Sequence, residues 1–483
     1  MPKGWRACSV KHLFERADSP SILKTLTLVA ALFMLLPLPF VQYIGEEGLM
    51  AIKSFEMHAR GDWLHPSIYG ALWPHSPFWH WPVIAISMLI GWEHVDMAIR
   101  LASVLSSWLA ACFVGWAASW LWPQHRNIGW LAALVYLSMG EVSFWYGWLG
   151  YVDAMFGSFI LAAIVLLWRA IHDQRGGWFL ASLMAISLAF LTKNITAYAL
   201  YGLAGGVFLW RYRCWRVILR PSWLLPGLLA LCLPMAWQML VVPSGENTAI
   251  TTFRDAMRNF AGYGVLDYVF HWLGYPFVFA FRAMPVSLFL IWLVWRRKWV
   301  PFRDERLVTL AAVLLACFLP FWISAGATPR YLVPLYGFAA LLLARMLRQL
   351  PEERIKQGIL LMGLVLLLKV PYSLLALPYV KDWRPGHDQQ AVAREILALT
   401  ADAPLRTLND VATGLAVIAY IDVWRGDRPF VRWFRPKRDK RVYVLAERPT
   451  PSLGRLVRSW TVRGDDMYLY YHDAALAREG GRQ

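Results

Sequence analysis

Residues 44–63 read IGEEGLMAIKSFEMHARGDW, a polar stretch that follows the first apolar run of the chain. Two adjacent carboxylates, Glu46 and Glu47, stand near its start, where the first predicted membrane helix ends. A carboxylate pair is costly to bury at a membrane boundary, so it either stays in water or carries a function. The plain alternative is a solvated loop in which both acids cap the next helix. The residues that follow predict an amphipathic segment rather than a second membrane span.

The composition indicates a membrane protein. Hydrophobic residues make up 58% of the 483 residues and charged residues only 16%, which is too apolar for a soluble protein. The net charge of +17 does not indicate nucleic-acid binding, because the basic residues cluster in short loops between apolar stretches. Membrane lipids are therefore the expected partners of this charge. The five cysteines fall in predicted spans or cytoplasmic segments, so no disulfide framework is expected.

The apolar stretches predict a polytopic α-helical protein with about eleven transmembrane helices, since each crossing needs about 20 residues. Basic residues lie in every second connection, which predicts a cytoplasmic N-terminus and a periplasmic C-terminus. The apolar run 81–92 is too short to cross and is expected to lie at the interface or dip into the protein. The predicted spans are residues 22–44, 97–122, 128–147, 154–171, 178–193, 194–210, 223–242, 276–295, 307–325, 331–347 and 357–377.

Two domains are predicted from the change in composition near residue 378. Residues 1–377 form a transmembrane domain whose first periplasmic loop is 45–96, and residues 378–483 form a small periplasmic α/β domain. The basic residues crowded between 425 and 441 are expected to form a solvated face near anionic headgroups. Within the second domain, helices are predicted over 388–400 and 411–423, and strands over 405–408, 441–445 and 467–471.

Charged residues in unusual places mark a candidate site on the outer side. Asp153 begins a predicted span, Lys193 ends one, and Arg330 and Tyr331 begin a later one. Each has an ordinary explanation alone: a helix cap for Asp153, and snorkelling cations for Lys193 and Arg330. Together with the acid pair they are acids and bases that converge on one membrane face, which suits a lipid-linked substrate.

These residue types suit sugar transfer from a lipid phosphate. Cations such as Lys193 and Arg330 bind an interfacial phosphate. A carboxylate deprotonates an incoming hydroxyl or supports the positive charge that develops on the sugar. Glu46, Glu47 and Asp153 are the candidates for that catalytic role.

The ordered set of motifs resembles the aminoarabinose transferase and protein O-mannosyltransferase type of GT-C membrane glycosyltransferase. Glu46 stands where that family has an aspartate. The family's next landmark is similar to residues 73–77, but its glutamate and lysine are missing here. The matching positions are Glu46-Glu47, Ala51, Glu56-Met57, Gly61-Asp62-Trp63, Pro66, His75 within 73–77, Ala98 to Leu101 with Arg100, Asp153, Leu191-Thr192-Lys193, and Pro329 to Tyr336.

The resemblance implies an inverting glycosyltransferase that takes its sugar from a polyprenyl-phosphate donor at the periplasmic face of a bacterial inner membrane. The implied acceptor is lipid A, another envelope glycan or a protein. By the family pattern Glu46 is the catalytic member of the pair, and His75, Arg100, Lys193, Arg330 and Tyr331 are candidate substrate-binding residues.

Two other functions compete with this one. A lipid-linked sugar flippase or transporter would place its charges near the membrane midplane and show repeated, broken helices. An envelope scaffold would use the basic C-terminal domain to bind partners, which leaves Glu46 and Asp153 without a role.

The histidines leave a metal open. Five of the eleven lie in the first outer loop, yet no HExxH motif or close helical pair occurs. No cofactor is therefore predicted, and a divalent metal remains an alternative. The five are His58, His65, His75, His80 and His94.

Overall fold

The computed structural model describes residues 19–73, 76–218, 220–241, 254, 262–296, 304–409, 411–426 and 428–473. Helices dominate up to residue 383, and strands appear mainly after residue 404. The α-helices are α1 Pro20–Phe33, α2 Glu47–Arg60, α3 His80–Ile90, α4 Val95–Leu121, α5 Ile128–Ser138, α6 Gly140–Phe144, α7 Asp153–Asp173, α8 Gly176–Thr192, α9 Thr196–Tyr212, α10 Trp215–Ile218, α11 Pro221–Leu240, α12 Val265–Arg282, α13 Val286–Trp295, α14 Glu305–Ile323, α15 Tyr336–Arg348, α16 Glu352–Pro371, α17 Gln389–Thr400 and α18 Ala412–Trp424.

Each predicted span coincides with one or two of these helices, which makes the chain a multi-pass membrane protein. Among the described residues, six helices are long and apolar enough to cross a membrane, and a bent pair adds a seventh if it counts as one span. The other predicted spans correspond to shorter helices, of which α1, α5 and α8 are apolar. Turns of π-helix continue α16 to Trp383, so the predicted domain boundary at residue 378 falls inside a helix. The six long helices are Trp92–Leu121, Asp153–Asp173, Pro221–Leu240, Glu305–Ile323, Pro329–Arg348 and Glu352–Trp383.

The predicted span 276–295 corresponds to two helices with a sharp bend between them. Helices α12 and α13 meet at an angle of 116°, with a cis peptide bond at Met284-Pro285 between them. The bend packs against a break in another predicted span, 128–147, which the structure divides into α5 and α6. At this contact Gly140 N donates a hydrogen bond to Met284 O at 2.9 Å. One break thus supplies the N–H donor and the other the carbonyl acceptor, as the pairing of buried non-helical backbone requires.

The C-terminal unit carries a five-stranded sheet in the order β4-β3-β5-β7-β6, after a two-stranded ribbon, β1–β2, in the first loop. Strand β3 pairs in parallel with β4 and β5, while β7 pairs antiparallel with β5 and β6. The predicted α/β character is thereby confirmed, although sequence patterning missed β4 and β6. The strands are β1 Ser67–Ile68, β2 Ala71–Leu72, β3 Leu405–Thr407, β4 Arg432–Trp433, β5 Arg441–Ala446, β6 Arg455–Val462 and β7 Asp465–Asp473.

The first loop and the C-terminal unit share one hydrophobic core. Helix α18 is buried along most of its length and packs against α2, the helix that begins at Glu47. The contact is backbone to backbone, because a Cβ placed on Gly48 would lie 2.6 Å from Ala416 N. The C-terminal unit therefore supports the loop that carries the acid pair.

Candidate active site

The two adjacent glutamates point to different surroundings, because neighbouring residues at a helix start diverge by about 100°. Glu47 is fully buried. Its Oε1 accepts hydrogen bonds from Arg100 Nε at 3.0 Å and Gly150 N at 2.7 Å. Its Oε2 accepts from Arg100 Nη2 at 2.6 Å and Ile44 N at 2.8 Å. Because each of its oxygens accepts two hydrogen bonds, this carboxylate joins α2 to α4 and to the chain just before α7.

Glu46 reaches the open side instead, with a side chain that is 46% exposed. Its Oε2 accepts a hydrogen bond from Arg330 Nη1 at 2.7 Å. Its backbone N–H donates to the hydroxyl of Tyr151 at 2.7 Å. The Tyr151 ring also lies 5.6 Å from the guanidinium carbon of Arg330. Glu46 is thus the member of the pair that a substrate can contact.

A second ion pair lies beside the first. Lys193 Nζ donates to Asp153 Oδ1 at 2.5 Å, and the Asp153 side chain is only 2% exposed while Lys193 is 21% exposed. Lys193 Nζ lies 5.0 Å from the centre of the Tyr331 ring, and the guanidinium carbon of Arg330 lies 5.7 Å from it. Both cations therefore meet around Tyr331, within electrostatic range of both carboxylates.

All four charged residues occupy the ends of helical elements. Glu46 precedes α2, Asp153 is the first residue of α7, and Lys193 directly follows α8. Arg330 lies in the 3₁₀ turn Pro329–Leu335 that leads into α15. A carboxylate near a helix N-terminus and a cation near a C-terminus are both favoured by the helix dipole.

Of the eight candidate residues, the structure brings five together and places two elsewhere. Arg100 is fully buried, and besides Glu47 its guanidinium binds the carbonyls of Leu38, Val41 and Gln42. We therefore reassign Arg100 and Glu47 from substrate binding and catalysis to support of the site. His75 lies outside the described residues. The residues brought together are Glu46, Asp153, Lys193, Arg330 and Tyr331.

Sequence reasoning missed two residues that border this group. Tyr151 stands two positions before Asp153, so its neighbourhood was visible, but nothing in the pattern showed that its hydroxyl binds Glu46 N–H and Ile44 O. Lys53 lies on α2 with 1% of its surface exposed. Burial lowers its pKa to about 7, and the charge of Glu46 acts in the opposite direction.

Three further charged residues inside predicted spans, Glu141, Arg282 and Lys369, were not among the candidates that the sequence offered. Glu141, 1% exposed, accepts from Arg282 Nη1 at 2.5 Å, where α6 meets the end of α12. Lys369 is fully buried in α16 and donates to the carbonyl of Ser143. The available signal was a lone charged residue inside each predicted span, which by default marks a functional or paired group.

Three of the loop histidines, His58, His65 and His80, have separate partners. His58 stacks on Trp92 with ring centres 4.8 Å apart, His65 Nδ1 lies 2.9 Å from Asp62, and His80 Nδ1 lies 2.8 Å from Ser54 Oγ. No three metal-binding side chains gather anywhere in the described part of the chain. The possibility of a divalent metal remains an untested expectation.

The arrangement is equipped to bind an anion between two cations and to present a carboxylate to whatever approaches it. An ammonium has three N–H donors and a guanidinium five, so Lys193 and Arg330 retain donors for a phosphate after binding Asp153 and Glu46. Glu46 is partly exposed and oriented by Arg330, so it can contact an acceptor group.

No family model matches the chain. Curated relatives do: it is 28% identical over 372 residues to undecaprenyl phosphate-α-4-amino-4-deoxy-L-arabinose arabinosyl transferase 2 of Pseudomonas fluorescens (strain Pf0-1). That match covers 74% of this chain and 65% of the relative. The Pseudomonas aeruginosa (strain LESB58) transferase of the same sugar is 29% identical over 387 residues, covering 76% of this chain and 67% of the relative.

Solved structures support the same likeness. ArnT from Cupriavidus metallidurans bound to undecaprenyl phosphate superposes with a TM-score of 0.72 over 94% of this chain and 98% of that one, at 17% identity. Its apo form gives a TM-score of 0.66 over the same shares. At this identity the superposition shows the fold. The chain therefore has the GT-C fold and resembles the aminoarabinose transferases in both sequence and structure, as its motifs predicted.

Proposed function

We propose that this protein is an inverting glycosyltransferase that moves a sugar from a polyprenyl-phosphate donor to an envelope acceptor: lipid A, another glycan or a protein. The observation that carries the proposal is the pairing of Lys193 with Asp153 and Arg330 with Glu46 around Tyr331. The matched relatives are named for transfer of aminoarabinose from undecaprenyl phosphate, which supports a donor of this class.

In the proposed reaction the donor phosphate is held by Lys193 and Arg330. Charge-assisted hydrogen bonds from these cations stabilise the lipid phosphate as it leaves the sugar. Asp153 is almost fully buried and stays bound to Lys193, so it orients the ammonium and supports positive charge on the sugar ring. The acceptor oxygen attacks from the face opposite the phosphate, which inverts the sugar carbon.

Glu46 acts on the acceptor. A hydroxyl acceptor needs a general base, and the Glu46 carboxylate is exposed and fixed by Arg330 for that purpose. An acceptor that is already an ionised phosphate needs no base, and Glu46 would then serve only to orient it. We infer a site at the periplasmic face of a bacterial inner membrane, because the positive-inside rule assigns the basic connections to the cytoplasmic side.

The test is a transfer assay in membranes that contain the protein, supplied with a radiolabelled polyprenyl-phosphate pentose. We expect label to move into lipid or glycan and to be lost with Asp153→Asn. Mass spectrometry of envelope lipids and glycans, with and without the protein, identifies the acceptor. Label that crosses the bilayer of reconstituted vesicles without moving to an acceptor would instead support the flippase alternative.

A further inference from the structure

The chain just before Glu46 is irregular and buried, so its backbone carbonyls need donors from elsewhere. After α1 the residues form turns, and residues 41–44 then have no regular secondary structure. Arg100 supplies hydrogen bonds to three of the carbonyls: Leu38 O at 3.2 Å, Val41 O at 2.6 Å and Gln42 O at 2.9 Å. The next carbonyl, that of Tyr43, accepts from a different arginine in the C-terminal unit, Arg463 Nη1, at 2.6 Å.

Arg463 sits at the tip of the β6–β7 hairpin. Val462 pairs with Asp465, so the turn consists of Arg463 and Gly464 alone, with φ of +53° and +91°. Two successive positive φ angles are the mark of a type I′ hairpin turn, which seldom carries arginine at its first position. A long cation is thus held in a conformation that favours asparagine or glycine, and its side chain is only 12% exposed.

The same guanidinium joins three parts of the molecule. Arg463 Nη2 donates to Asp382 Oδ1 at 2.5 Å, and Asp382, near the end of the long apolar helix Glu352–Trp383, is 7% exposed. Asp382 Oδ2 in turn accepts from Gln42 N at 3.0 Å. Asp382 thus binds the backbone N–H of Gln42, and Arg463 binds the backbone carbonyl of Tyr43. Together they tie residues 42–43 to the hairpin and to the membrane helix.

The gripped residues lead directly to the catalytic carboxylate. Gly45 has φ of +59°, and a Cβ there would lie 2.6 Å from the Tyr151 hydroxyl, so the chain has one close-fitting path past Tyr151. Glu46 N–H then binds that hydroxyl, and the Glu46 carboxylate meets Arg330. Tyr43 on one side and Tyr151 on the other fix where Glu46 stands.

We propose that Arg463 is a positioning residue for the active site: from the C-terminal hairpin it clamps Gln42 and Tyr43, with Asp382, and so sets the place of the Glu46 carboxylate. Arg463 has no contact with Glu46 or Arg330 among the described residues and is not itself catalytic. The proposal rests on the proposed function for its effect on turnover. It gives the C-terminal unit a role in the reaction rather than only in folding.

The test compares Arg463→Asn and Arg463→Lys with the parent in the full-length purified protein. Asparagine suits the turn before Gly464 but cannot reach Tyr43, so the hairpin is kept while the clamp is removed. Lysine keeps the positive charge but has one nitrogen where arginine has a forked pair, so it can replace only part of the interaction with Tyr43 and Asp382. The matched control is Arg458→Gln, because Arg458 lies on the same hairpin, is 59% exposed and pairs with Glu395 at 3.1 Å.

Two readouts are expected to move together. Hydrogen exchange of the backbone amides in residues 41–48 is expected to speed up in Arg463→Asn and to match the parent in the control. The kcat for transfer is expected to fall at least about tenfold with little change in donor KM, since a misplacement of about 1 Å can cost about 10² in rate. Arg463→Lys is expected to recover part of kcat.

The outcomes separate this proposal from the proposed function. Parental exchange in residues 41–48 of Arg463→Asn, or a parental kcat, overturns the clamp while Glu46→Gln still tests the transferase. A lower yield of folded protein with parental kcat per folded molecule means a purely structural contact and also overturns it. If the parent transfers no sugar at all, the proposed function fails, and the exchange rates alone decide whether Arg463 fixes this segment.

Discussion

At the scale of single residues, the divergence of Glu46 and Glu47 gives the sharpest prediction. General-base assistance is typically worth about 10²–10⁴-fold, so Glu46→Gln is expected to lower turnover by at least about 10²-fold while the protein still folds. Glu46→Asp is expected to be partly active, because it keeps the carboxylate but withdraws it by one methylene. Steady-state transfer kinetics on purified protein provide the measurement. A small loss in Glu46→Gln would indicate an acceptor that is already ionised.

Glu47→Gln is the informative comparison. It leaves Arg100 buried without its counter-charge, a change that typically destabilises a protein by about 3–5 kcal/mol. We expect a lower yield of monodisperse protein and a lower melting temperature, rather than a specific kinetic defect. Near-normal turnover in both Glu46→Gln and Asp153→Asn would rule out the site assignment.

The two site cations are expected to act on donor affinity. Lys193→Ala or Arg330→Ala removes a charge-assisted hydrogen bond worth roughly 1.5–3 kcal/mol, so the donor KM should rise at least about tenfold. The dependence of the transfer rate on donor concentration measures this. Arg384→Ala, outside the site, serves as the control for loss of one positive charge. If both site variants keep the parental dependence, Lys193 and Arg330 only snorkel to the interface.

Glu56 on α2 predicts a pH dependence of stability. It is fully buried against Ser67 and Gly70, and burial raises its pKa from 4.5 to about 7. Nearby Asp422, also buried, has its pKa raised by burial and further by the charge of Glu56. Between pH 4.5 and 7 Glu56 is therefore protonated more fully in the folded state than in the unfolded state, so its contribution to the free energy of unfolding falls as pH rises and levels off above about 7.

Glu56→Gln should flatten this dependence. The amide oxygen can still accept from Ser67 and Gly70, but no charge has to be buried at high pH. In thermal melts between pH 5 and 8, the melting temperature of the variant should rise relative to that of the parent as pH rises. The exposed Glu93→Gln is the control, and a constant difference between variant and parent across this range would contradict the prediction.

At the scale of elements, the contact between α2 and α18 is close enough to test with one methyl group. In Gly48→Ala the added Cβ would meet the backbone of Leu415 and Ala416 at 2.6–2.7 Å, so the helices must separate. Overpacking of this kind typically costs about 1–3 kcal/mol, which should lower the melting temperature. The control is Gly202→Ala in α9, where the added Cβ has no heavy atom within 4 Å. Equal melting temperatures in both variants would contradict the packing.

Helix positions were largely predictable, whereas their breaks and partners were not. The stretch Asp388–Thr400 carries a capping aspartate and helical spacing, and α17 begins one residue after Asp388. Nothing local shows that α12 and α13 bend by 116°, because the bend is satisfied by Gly140, more than 100 residues away. In the same way, nothing local at residues 46–47 shows which acid is buried, because that depends on the distant Arg100 and Arg330.

At the scale of the whole molecule, the orientation in the membrane is the main prediction. Connections rich in basic residues alternate along the chain with connections that contain few, so the C-terminal unit and the site should face the periplasm. A cysteine introduced at exposed Arg458 should react with a membrane-impermeant maleimide in intact spheroplasts. A cysteine at Arg216, in the basic connection after α9, should react only after permeabilisation. The reverse labelling would place the site in the cytoplasm.

The convergence of distant residues on one site was predictable for a physical reason. In a bundle of helices that cross one bilayer, alternate ends lie on the same face, so acids and bases at those ends fall near each other. That reasoning brought Glu46, Asp153, Lys193 and Arg330 together but could not give their pairing. The shared core of the first loop and the C-terminal unit was also hidden, because both read as separate polar segments.

The short run between the first membrane helix and α2 has a consequence for how such a sequence can change over time. The carbonyls of Val41 and Gln42 accept hydrogen bonds from Arg100, and that of Tyr43 accepts one from Arg463. The two acids that follow, Glu46 and Glu47, face opposite ways. With the hydrogen bonds of this run kept, inserting one residue after Tyr43 would move Glu46 into the buried position beside Arg100, and deleting one would move Glu47 into the exposed position beside Arg330. Side chains in this run can vary where they meet solvent, but the number of residues is constrained, because it decides which acid is exposed and which is buried.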